Sequence, residues 1–306
     1  MQREIKSASG LTKQTSQWFA GLQDSICQAL ERIDGKAKFK EDTWERPGGG
    51  GGRSRILEQG AIIEKGGVNF SAVFGEVSEK MQEKMGFPKA HFFATGVSIV
   101  LHPQNPWMPI IHMNVRYFDL SIGKAWFGGG IDLTPHYVAE EDARFFHQHL
   151  KQVCDKHDKS YYPEFKQWAD DYFYIPHRQE TRGIGGIFFD RLQPDAKHSW
   201  DDCWAFVQAV GEAFVPAYAH FAHQYSQKSF TEAQKQWQWL RRGRYVEFNL
   251  VYDQGTKFGL ETDGRIESIL MSLPQFASWQ YNHQPSAGSP EAKTLQMLKK
   301  GINWAV

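Results

Sequence analysis

Polar side chains recur at every second residue in the stretch "IIHMNVRYF", residues 110–118. His112, Asn114 and Arg116 share one parity, and the residues between them are apolar. Since successive side chains of a strand point to opposite faces, this pattern predicts a strand with an imidazole, an amide and a guanidinium on one face. Such a row suits an anionic ligand, because a guanidinium binds a carboxylate bidentately. A plain solvated strand face is the alternative.

Two more predicted strands supply candidate residues. In "FFATGVSIVLHP", residues 92–103, Ser98 and His102 have the same parity and would join the polar row if the two strands pair. In "KAWFGGGIDLTPHY", residues 124–137, glycines allow a bulge or a close backbone approach. Asp132 follows between two apolar residues, so it is a candidate for a perturbed pKa. A water-facing strand carboxylate is the competing interpretation.

Histidines and arginines offer two further kinds of site. His102, His112, His147 and His177 each have polar or charged neighbours, and imidazole is a common metal ligand. Their spacing is not local, so a metal site is a weak inference from chemistry alone. The stretch "HRQETRGIGGIFFD", residues 177–190, lacks the third glycine and the βαβ frame of a dinucleotide fingerprint. Its arginines, Arg178 and Arg182, suit carboxylates instead.

The composition excludes several classes of protein. The chain has 306 residues with 35 basic and 35 acidic side chains, which argues against a general nucleic-acid binder. Its three cysteines lack CxxC spacing, so no iron–sulfur cluster or zinc ribbon is expected. The longest apolar run, about ten residues, is half a membrane span. The N-terminal segment "MQREIKSASG" has no signal-peptide core, so we expect a cytoplasmic protein with no integral membrane contact.

The elements that must position these residues predict an α+β fold. Residues 46–55 contain five consecutive glycines and are expected to form a flexible loop carrying Arg46, Arg53 and Arg55. Residues 244–273 alternate and carry turn signals, including Asp263–Gly264, which predicts an antiparallel meander. Because turns rather than regular crossover helices join the strands, we predict one domain, residues 1–306, built on a large antiparallel sheet flanked by helices.

Four long motifs resemble one known family. They are "GVSIVLHPQNPWMPIIHMNVRYF", "WFGGGIDLTPHY", "YFYIPHRQETRGIGGIFFD" and "RRGRYVEFNLVYDQGTKFGL", the last followed by "GRIESILMSLP". Together they resemble the oxygen-dependent coproporphyrinogen III oxidases, over nearly the whole chain from about residue 12.

The resemblance implies a reaction, a fold and an assembly. The family converts two propionate groups of coproporphyrinogen III to vinyl groups, giving protoporphyrinogen IX, with O2 as oxidant and CO2 and H2O2 released. Its fold is a large antiparallel sheet with helices on both faces, and its members are homodimers in contact around residues 245–280. No haem, flavin, nucleotide or Fe–S cluster is implied, and the CxxxCxxC motif of the oxygen-independent route is absent.

The resemblance also assigns roles by motif. The residues matching substrate-binding positions are Ser98, Asn114, Val115, Arg116, Asp263, Gly264 and Arg265. The residues matching ligands of a divalent metal cation are His102, His112, His147 and His177. His112 also matches a proton donor, and Asp132 matches an aspartate proposed to engage the pyrrole nitrogens. Ala169 stands where many members have cysteine, and Asp263 stands where others have glycine or proline.

Two alternatives to this enzyme stay open. A non-catalytic tetrapyrrole carrier would bind the same ligand without turnover. A histidine-ligated metal oxygenase acting on a smaller acid would hold a stoichiometric metal.

Overall fold

Alternating apolar and polar residues build the strands of one large sheet. The computed structural model describes residues 2–261 and 264–306, with side chains from residue 10 onward except 84 and 85. The strands are β1 (Lys40–Glu45), β2 (Gly50–Glu58), β3 (Ile63–Glu76), β4 (His91–Pro103), β5 (Ile110–Leu120), β6 (Lys124–Thr134), β7 (Tyr174–Ile175), β8 (Glu180–Thr181) and β9 (Gly185–Leu192). Seven of them form an antiparallel sheet in the order β1-β2-β3-β4-β5-β6-β9, and β7 pairs with β8 alone.

Helices precede, interrupt and follow the sheet. They are α1 (Gln2–Asp34), α2 (Glu79–Met85), α3 (Glu140–Asp155), α4 (Tyr161–Tyr172), α5 (Trp200–Tyr225), α6 (Glu232–Val251), α7 (Gln254–Glu261), α8 (Ile266–Leu270) and α9 (Pro290–Met297). None of the described helices is long and apolar enough to cross a membrane.

One face of the sheet forms the main core. Val97, Met113 and Ile131 come from three neighbouring strands, and all three are fully buried. They belong to the same cluster as Phe19 of α1 and Phe214 of α5, and these helices lie against this face. We call it the core face. Burying such large apolar side chains is the main favourable term in folding.

The opposite face carries the polar row of β5 and is covered in part by the C-terminal helices. Tyr245 of α6 packs against Val100 and Ile110, and Met271, just after α8, lies over Gly67. We call this side the cleft face. Helices therefore lie on both faces of the antiparallel sheet, which confirms the predicted α+β class.

The glycine-rich segment 46–55 is not a long loop. Only residues 46–49 connect β1 to β2. Residues 50–55 are strand residues, and 51–55 pair with both β1 and β3. The missing side chains let neighbouring groups approach, because a Cβ on Gly52 would lie 2.5 Å from the Trp44 ring. Glycine was therefore wrongly interpreted as a loop signal where it marks close packing.

The predicted meander over residues 244–273 is also wrong, because α6 continues to Val251 and α7 and α8 follow. The helix buries Tyr245, Phe248 and Asn249, an i, i+3, i+4 pattern. Phe248 belongs to this pattern and also to the strand alternation Val246–Phe248–Leu250, and for that reason the sequence was ambiguous. The Asp263 part of the predicted hairpin lies outside the described residues.

The C-terminus of α1 is fixed to the sheet by one carboxylate. Gly35 follows the helix with φ 72° and ends it. Asp34 is buried and accepts backbone N–H groups from residues after the helix and from the β2–β3 turn, including Ala37, Ile62 and Ile63 at 2.9 Å each. These hydrogen bonds attach the helix that covers the core face to the sheet beneath it.

Candidate active site

His112 and Asp132 are direct partners on β5 and β6. The His112 Nδ1 atom lies 2.7 Å from Oδ1 of Asp132. Because both residues belong to the cleft-face parity of their strands, the register of the sheet brings them together. The hydrogen bond fixes the imidazole ring and, with an ionised carboxylate, places the proton on Nδ1.

The second oxygen of Asp132 is held by Arg182, which follows β8. Arg182 donates from Nη2 to Oδ2 at 2.7 Å, and each side chain is only 2% exposed. Burial by itself would raise the pKa of Asp132, but the charge of Arg182 and the hydrogen bond from His112 outweigh it and lower the pKa. Asp132 is therefore an ionised carboxylate at neutral pH, although it is buried.

Aromatic rings hold the Arg182 guanidinium in place. Its Cζ atom lies 4.3 Å from the ring centroid of Phe173, 4.7 Å from that of Tyr245 and 4.8 Å from that of Phe248. Asn249 accepts a hydrogen bond from Nη1 at 3.1 Å. Since α6 supplies three of these four neighbours, the helix orients the arginine, the arginine orients Asp132, and Asp132 orients His112.

The His112 ring is the part of this chain of contacts that reaches the cleft. Its side chain is 22% exposed, in contrast to the buried pair behind it. With Nδ1 bonded to Asp132, the atom left for a ligand is Nε2. A ring held through Nδ1 by a carboxylate can give or take a proton at Nε2.

Arg116 lies in a row of small residues across the sheet. Its register partners are Gly96 on β4 and Gly128 on β6, and Ser71 and Gly52 continue the row on β3 and β2. The guanidinium is therefore the only large group in its row across five strands. The glycines on β4 and β6 therefore leave space on either side of the guanidinium within its row.

Arg116 has two partners within the protein. It donates to Oδ1 of Asn114 at 2.7 Å and to Oδ1 of Asp190 on β9 at 2.8 Å. A Cβ on Gly128 would lie 2.6 Å from that Asp190 oxygen and 2.7 Å from Cζ of Arg116. The glycine thus makes room for the ion pair to lie against β6.

A second row of polar residues crosses five strands beside Arg116. Register partners in this row, from β1 to β5, are Asp42, Ser54, Asn69, Ser98 and Asn114. Two of the predicted substrate-binding residues, Ser98 and Asn114, are therefore adjacent. The row ends at β1 under a second arginine.

That second arginine is Arg265, at the start of α8. It contacts Asp42 and donates to the hydroxyls of Ser54 and Ser268 at 3.3 Å each. Gly264 precedes it along the chain, whereas Asp263 lies outside the described residues. The row that contains Ser98 and Asn114, which we call the Ser98–Asn114 row, thus has Arg265 at its β1 end and Arg116 beside its β5 end.

Val115 is a predicted site residue that the structure places elsewhere. Its side chain is fully buried in the core-face cluster, since its parity in β5 is opposite to that of Asn114 and Arg116. The side chain therefore does not reach the cleft.

Aromatic rings border the polar rows on the cleft face. Phe118, the next cleft-face residue of β5 after Arg116, stacks on Trp126 with ring centroids 4.8 Å apart. On β9, Phe188 is the register partner of Gly130 and stacks on Tyr172 at 4.2 Å. Aromatic walls beside charged groups suit a ligand with a large ring system and charged substituents.

The four histidines predicted as metal ligands do not converge. His147 is buried on the core face, where Nε2 donates to the carbonyl of Ile184 and Nδ1 accepts from the hydroxyl of Tyr162, both at 2.9 Å. His112 lies on the other face. Opposite faces of one sheet cannot supply ligands to a common ion.

The other two predicted ligands are also engaged in separate places. His102 is fully buried and donates from Nε2 to the carbonyl of Ser272 at 2.8 Å. His177, between β7 and β8, bonds Tyr252 through Nδ1 and Glu247 through Nε2. Across the residues that the structure describes, no group of three histidine, cysteine or acidic side chains is arranged to hold a metal ion.

Fold and site together define a class of protein: an α+β protein whose antiparallel sheet presents two arginines and an oriented histidine on one face. A sequence model described as coproporphyrinogen III oxidase matches residues 14–304. The chain therefore belongs to the coproporphyrinogen III oxidase family.

Individual relatives agree with this family. The chain is 48% identical over 315 residues to coproporphyrinogen-III oxidase 1, chloroplastic, of Arabidopsis thaliana, which covers 97% of this chain and 80% of the relative. It is 47% identical to the oxygen-dependent chloroplastic enzyme of Glycine max, and the match covers 98% of this chain and 81% of that relative. It is 50% identical over 296 residues to the oxygen-dependent mitochondrial enzyme of Homo sapiens, and the match covers 92% of this chain and 64% of that relative.

Three residues of the site were absent from the predicted set of site residues. Arg182 stood out beside a glycine turn, but the sequence suggested a carboxylate-bearing ligand rather than Asp132 as its partner. Asn249 fell in a segment predicted as a strand. Asp190 carried no signal, because only the pairing of β6 with β9 places it beside Arg116.

Proposed function

We propose that this protein catalyses the oxygen-dependent decarboxylation of two propionate groups of coproporphyrinogen III to vinyl groups, giving protoporphyrinogen IX. In each step a propionate, one O2 and one proton give a vinyl group, one CO2 and one H2O2. The two electrons that reduce O2 come from the substrate, so the reaction balances without a further reductant. The observation that carries the proposal is the oriented His112 on the same face of the sheet as Arg116 and Arg265, in a chain of this family.

The arginines supply substrate binding. A guanidinium pairs with a carboxylate bidentately, and the substrate has four propionates. Arg116 and Arg265 lie at opposite ends of the Ser98–Asn114 row, so they suit two propionates on different parts of one ring. Ser98 and Asn114 lie between them as polar contacts.

His112 supplies proton transfer. The Asp132 carboxylate holds Nδ1, so Nε2 can accept a proton from the substrate or deliver one to reduced oxygen. An ionised carboxylate behind the ring stabilises the imidazolium that forms. Positioned acid–base groups of this kind contribute roughly 10²–10⁴-fold to rate.

Asp132 acts through His112 rather than on the pyrrole nitrogens. Its two oxygens are bonded to His112 and Arg182, and the side chain is 2% exposed. Each oxygen could accept a further hydrogen bond, but the neighbouring groups that bury the side chain keep a pyrrole N–H from reaching it. We therefore revise its predicted role: Asp132 is a positioning residue.

No catalytic step is assigned to a divalent cation. The predicted ligand set does not fit a common ion, since His147 is on the core face and His112 is on the cleft face. The oxidant in the proposal is O2 itself, as the names of the soybean and human relatives indicate for those proteins.

We propose a homodimer that associates through residues 245–280. Its support is the number of large apolar side chains exposed in this segment. They are Leu250, Val251, Leu260, Ile266, Phe276 and Trp279. Light scattering of the wild type and of Trp279→Ser tests the proposal, and an unchanged monomeric mass for both would contradict it.

A cytoplasmic location is a separate proposal. The relatives named above are described as chloroplastic and mitochondrial, so they do not support it. Fractionation of the source cells with immunodetection tests the location, and recovery in an organelle would contradict it.

The decisive experiment is an anaerobic mixture of purified protein with coproporphyrinogen III, divided into samples with and without added O2. Oxidation of the products to porphyrins and their chromatographic separation reveal each decarboxylation. We expect the tricarboxylic intermediate and then the dicarboxylic product only with O2. Binding without any decarboxylated product would show a carrier and would refute the proposed reaction.

A further inference from the structure

We propose that Asp190 and Asp42 are exchangeable counter-ions that occupy the arginine sites for substrate propionates in the empty enzyme and yield them when substrate binds. The inference rests on the proposed function and adds two specificity-determining residues to it. Neither aspartate was among the predicted site residues.

The Arg116–Asp190 pair has the geometry of an incomplete substitute for a ligand carboxylate. Asp190 accepts a single guanidinium N–H, at 2.8 Å, and the other engaged nitrogen donates to the amide oxygen of Asn114. A free carboxylate placed before the fork can accept from two nitrogens at once. A substrate propionate therefore gains a hydrogen bond that Asp190 does not make.

Both cleft pairs are accessible to solvent. The side chains of Arg116 and Asp190 are 36% and 32% exposed, and those of Arg265 and Asp42 are 27% and 56% exposed. Exposed pairs are weak, because water screens the charges and holding two side chains costs entropy. A ligand carboxylate can thus replace either aspartate at little cost.

Two other ion pairs of the protein are built differently. Arg182 and Asp132 are each 2% exposed, and the Arg242–Glu64 pair is 0% and 5% exposed. Separating such a pair would leave a buried charge without a partner, which is strongly unfavourable. The fold therefore keeps fixed pairs under the cleft and replaceable pairs at its surface.

Exchange at Arg116 requires only the side chain of Asp190 to rotate away. The register neighbours of Arg116 are Gly96 and Gly128, so no side chain in that row blocks an incoming ligand. After decarboxylation the vinyl group cannot bind a guanidinium, and the aspartate returns to its arginine. At an arginine whose propionate has been converted to a vinyl group, the same exchange therefore makes substrate bind more tightly than product.

The test compares Asp190→Asn and Asp42→Asn with Asp24→Asn. Asp24 is also a partly exposed partner of arginine, with contacts to Arg53 at 3.2 Å and Arg55 at 2.7 Å, but it lies on α1 at the core-face side. All three variants remove one negative charge. Coproporphyrin III, the stable oxidised tetracarboxylate, is the binding probe, and its dissociation constant is measured by quenching of tryptophan fluorescence.

We expect Asp190→Asn and Asp42→Asn each to tighten binding about three- to tenfold, and Asp24→Asn to change it less than about twofold. The KM for coproporphyrinogen III should fall with them. In an Arg116→Gln background, Asp190→Asn should have no further effect, because its partner is gone. Unchanged or weaker binding in both cleft variants, or equal tightening in the Gln background, would overturn the proposal.

The two proposals can fail separately. If the wild type binds coproporphyrin III and the cleft variants tighten it, but no product forms with O2, the counter-ion exchange stands and the proposed reaction is wrong. If the wild type makes product and neither variant tightens binding, the reaction stands and the exchange is wrong. Thermal unfolding of each variant verifies that it is folded at the temperature of the binding and activity measurements.

Discussion

Arg182 and Asp132 form an ion pair 2.7 Å long beneath the cleft, with His112 bonded to the other side of the same carboxylate. One buried anion thus connects a cation held by aromatic rings to the imidazole that faces the cleft. Both the stability of the fold and the orientation of the His112 ring depend on that anion.

Replacing the carboxylate should therefore reduce rate and stability together. Asp132→Asn leaves the Arg182 cation buried without an anion, which costs roughly 3–5 kcal/mol of the free energy of unfolding. It also removes the group that fixes the proton on His112 Nδ1, so kcat should fall roughly 10²- to 10⁴-fold. Initial rates below the melting temperature, together with thermal unfolding, measure both effects.

Asp171→Asn is the control for that variant. Asp171 is an exposed carboxylate paired with Lys300 at 2.9 Å, so this change should leave kcat intact. If Asp132→Asn folded normally and kept kcat within about threefold, the positioning role would be wrong, since loss of acid–base assistance costs far more.

Gly128→Ala should weaken substrate binding more than it slows the reaction. The added Cβ would lie 2.7 Å from Cζ of Arg116, so the guanidinium must move off the sheet. A lost hydrogen bond between charged groups costs about 1.5–3 kcal/mol, so KM should rise roughly ten- to hundredfold. Steady-state kinetics with varied coproporphyrinogen III separate KM from kcat.

Gly21→Ala is the matched control, because a Cβ at Gly21 meets nothing within 4 Å and the residue is exposed on α1. Alanine there should leave KM unchanged and raise stability by up to about 1 kcal/mol. An unchanged KM in Gly128→Ala would show that Arg116 does not bind substrate from this position.

The pH dependence of stability should report on Asp34. Its burial opposes ionisation, but backbone N–H groups of residues including Ala37, Ile63 and Ile62 outweigh burial and lower its pKa below 3.8. A lowered pKa in the folded state contributes stability above the unfolded value and loses it as the pH falls through the folded value. Asp34→Asn should therefore destabilise by about 3 kcal/mol at pH 7, and the difference should shrink below about pH 4.

Urea unfolding of both proteins between pH 7 and pH 2 measures this difference. Asp24→Asn, at a partly exposed aspartate, should cost at most about 1 kcal/mol at pH 7. A deficit in Asp34→Asn that persisted undiminished to pH 2 would mean that the ionised carboxylate is not what stabilises this junction.

Chelation should reduce activity only modestly. His147 already bonds Tyr162 and Ile184 on the core face, and His177 bonds Tyr252 and Glu247, so neither is poised to share an ion with His112. Turnover after treatment with EDTA and gel filtration tests this, with total metal measured in the same sample. Complete loss of activity that is restored by a divalent metal would refute it.

The sequence predicted the polar face of β5 correctly because a strand has a strict period of two. His112, Asn114 and Arg116 all lie on the cleft face, and Val115 was predictable as a core residue from the same alternation. Ser98 joins this polar row because β4 pairs with β5, a condition that the sequence left open.

Long-range partners were not predictable in the same way. The contact of Asp132 with Arg182 depends on where residues 50 positions apart meet in space, and no local pattern carries that information. The helix α6 was missed because Phe248 satisfies both a strand and a helix period, and the buried Asn249 was lost with it.

The order of the strands has a consequence for the growing chain. Strands β1 to β6 are neighbours in the sheet in the same order as in the sequence, and the longest connection between them, residues 77–90, contains α2. His112 and Asp132 can therefore pair as soon as β6 has been synthesised. Arg182 and Asn249 follow 50 and 117 residues after Asp132. A nascent chain halted between Arg182 and Asn249 therefore contains both charges of the ion pair but not yet the helix that holds the arginine. The α6 residues that hold Arg182 in place are made only in the last quarter of synthesis, so the buried ion pair of the cleft face is secured late.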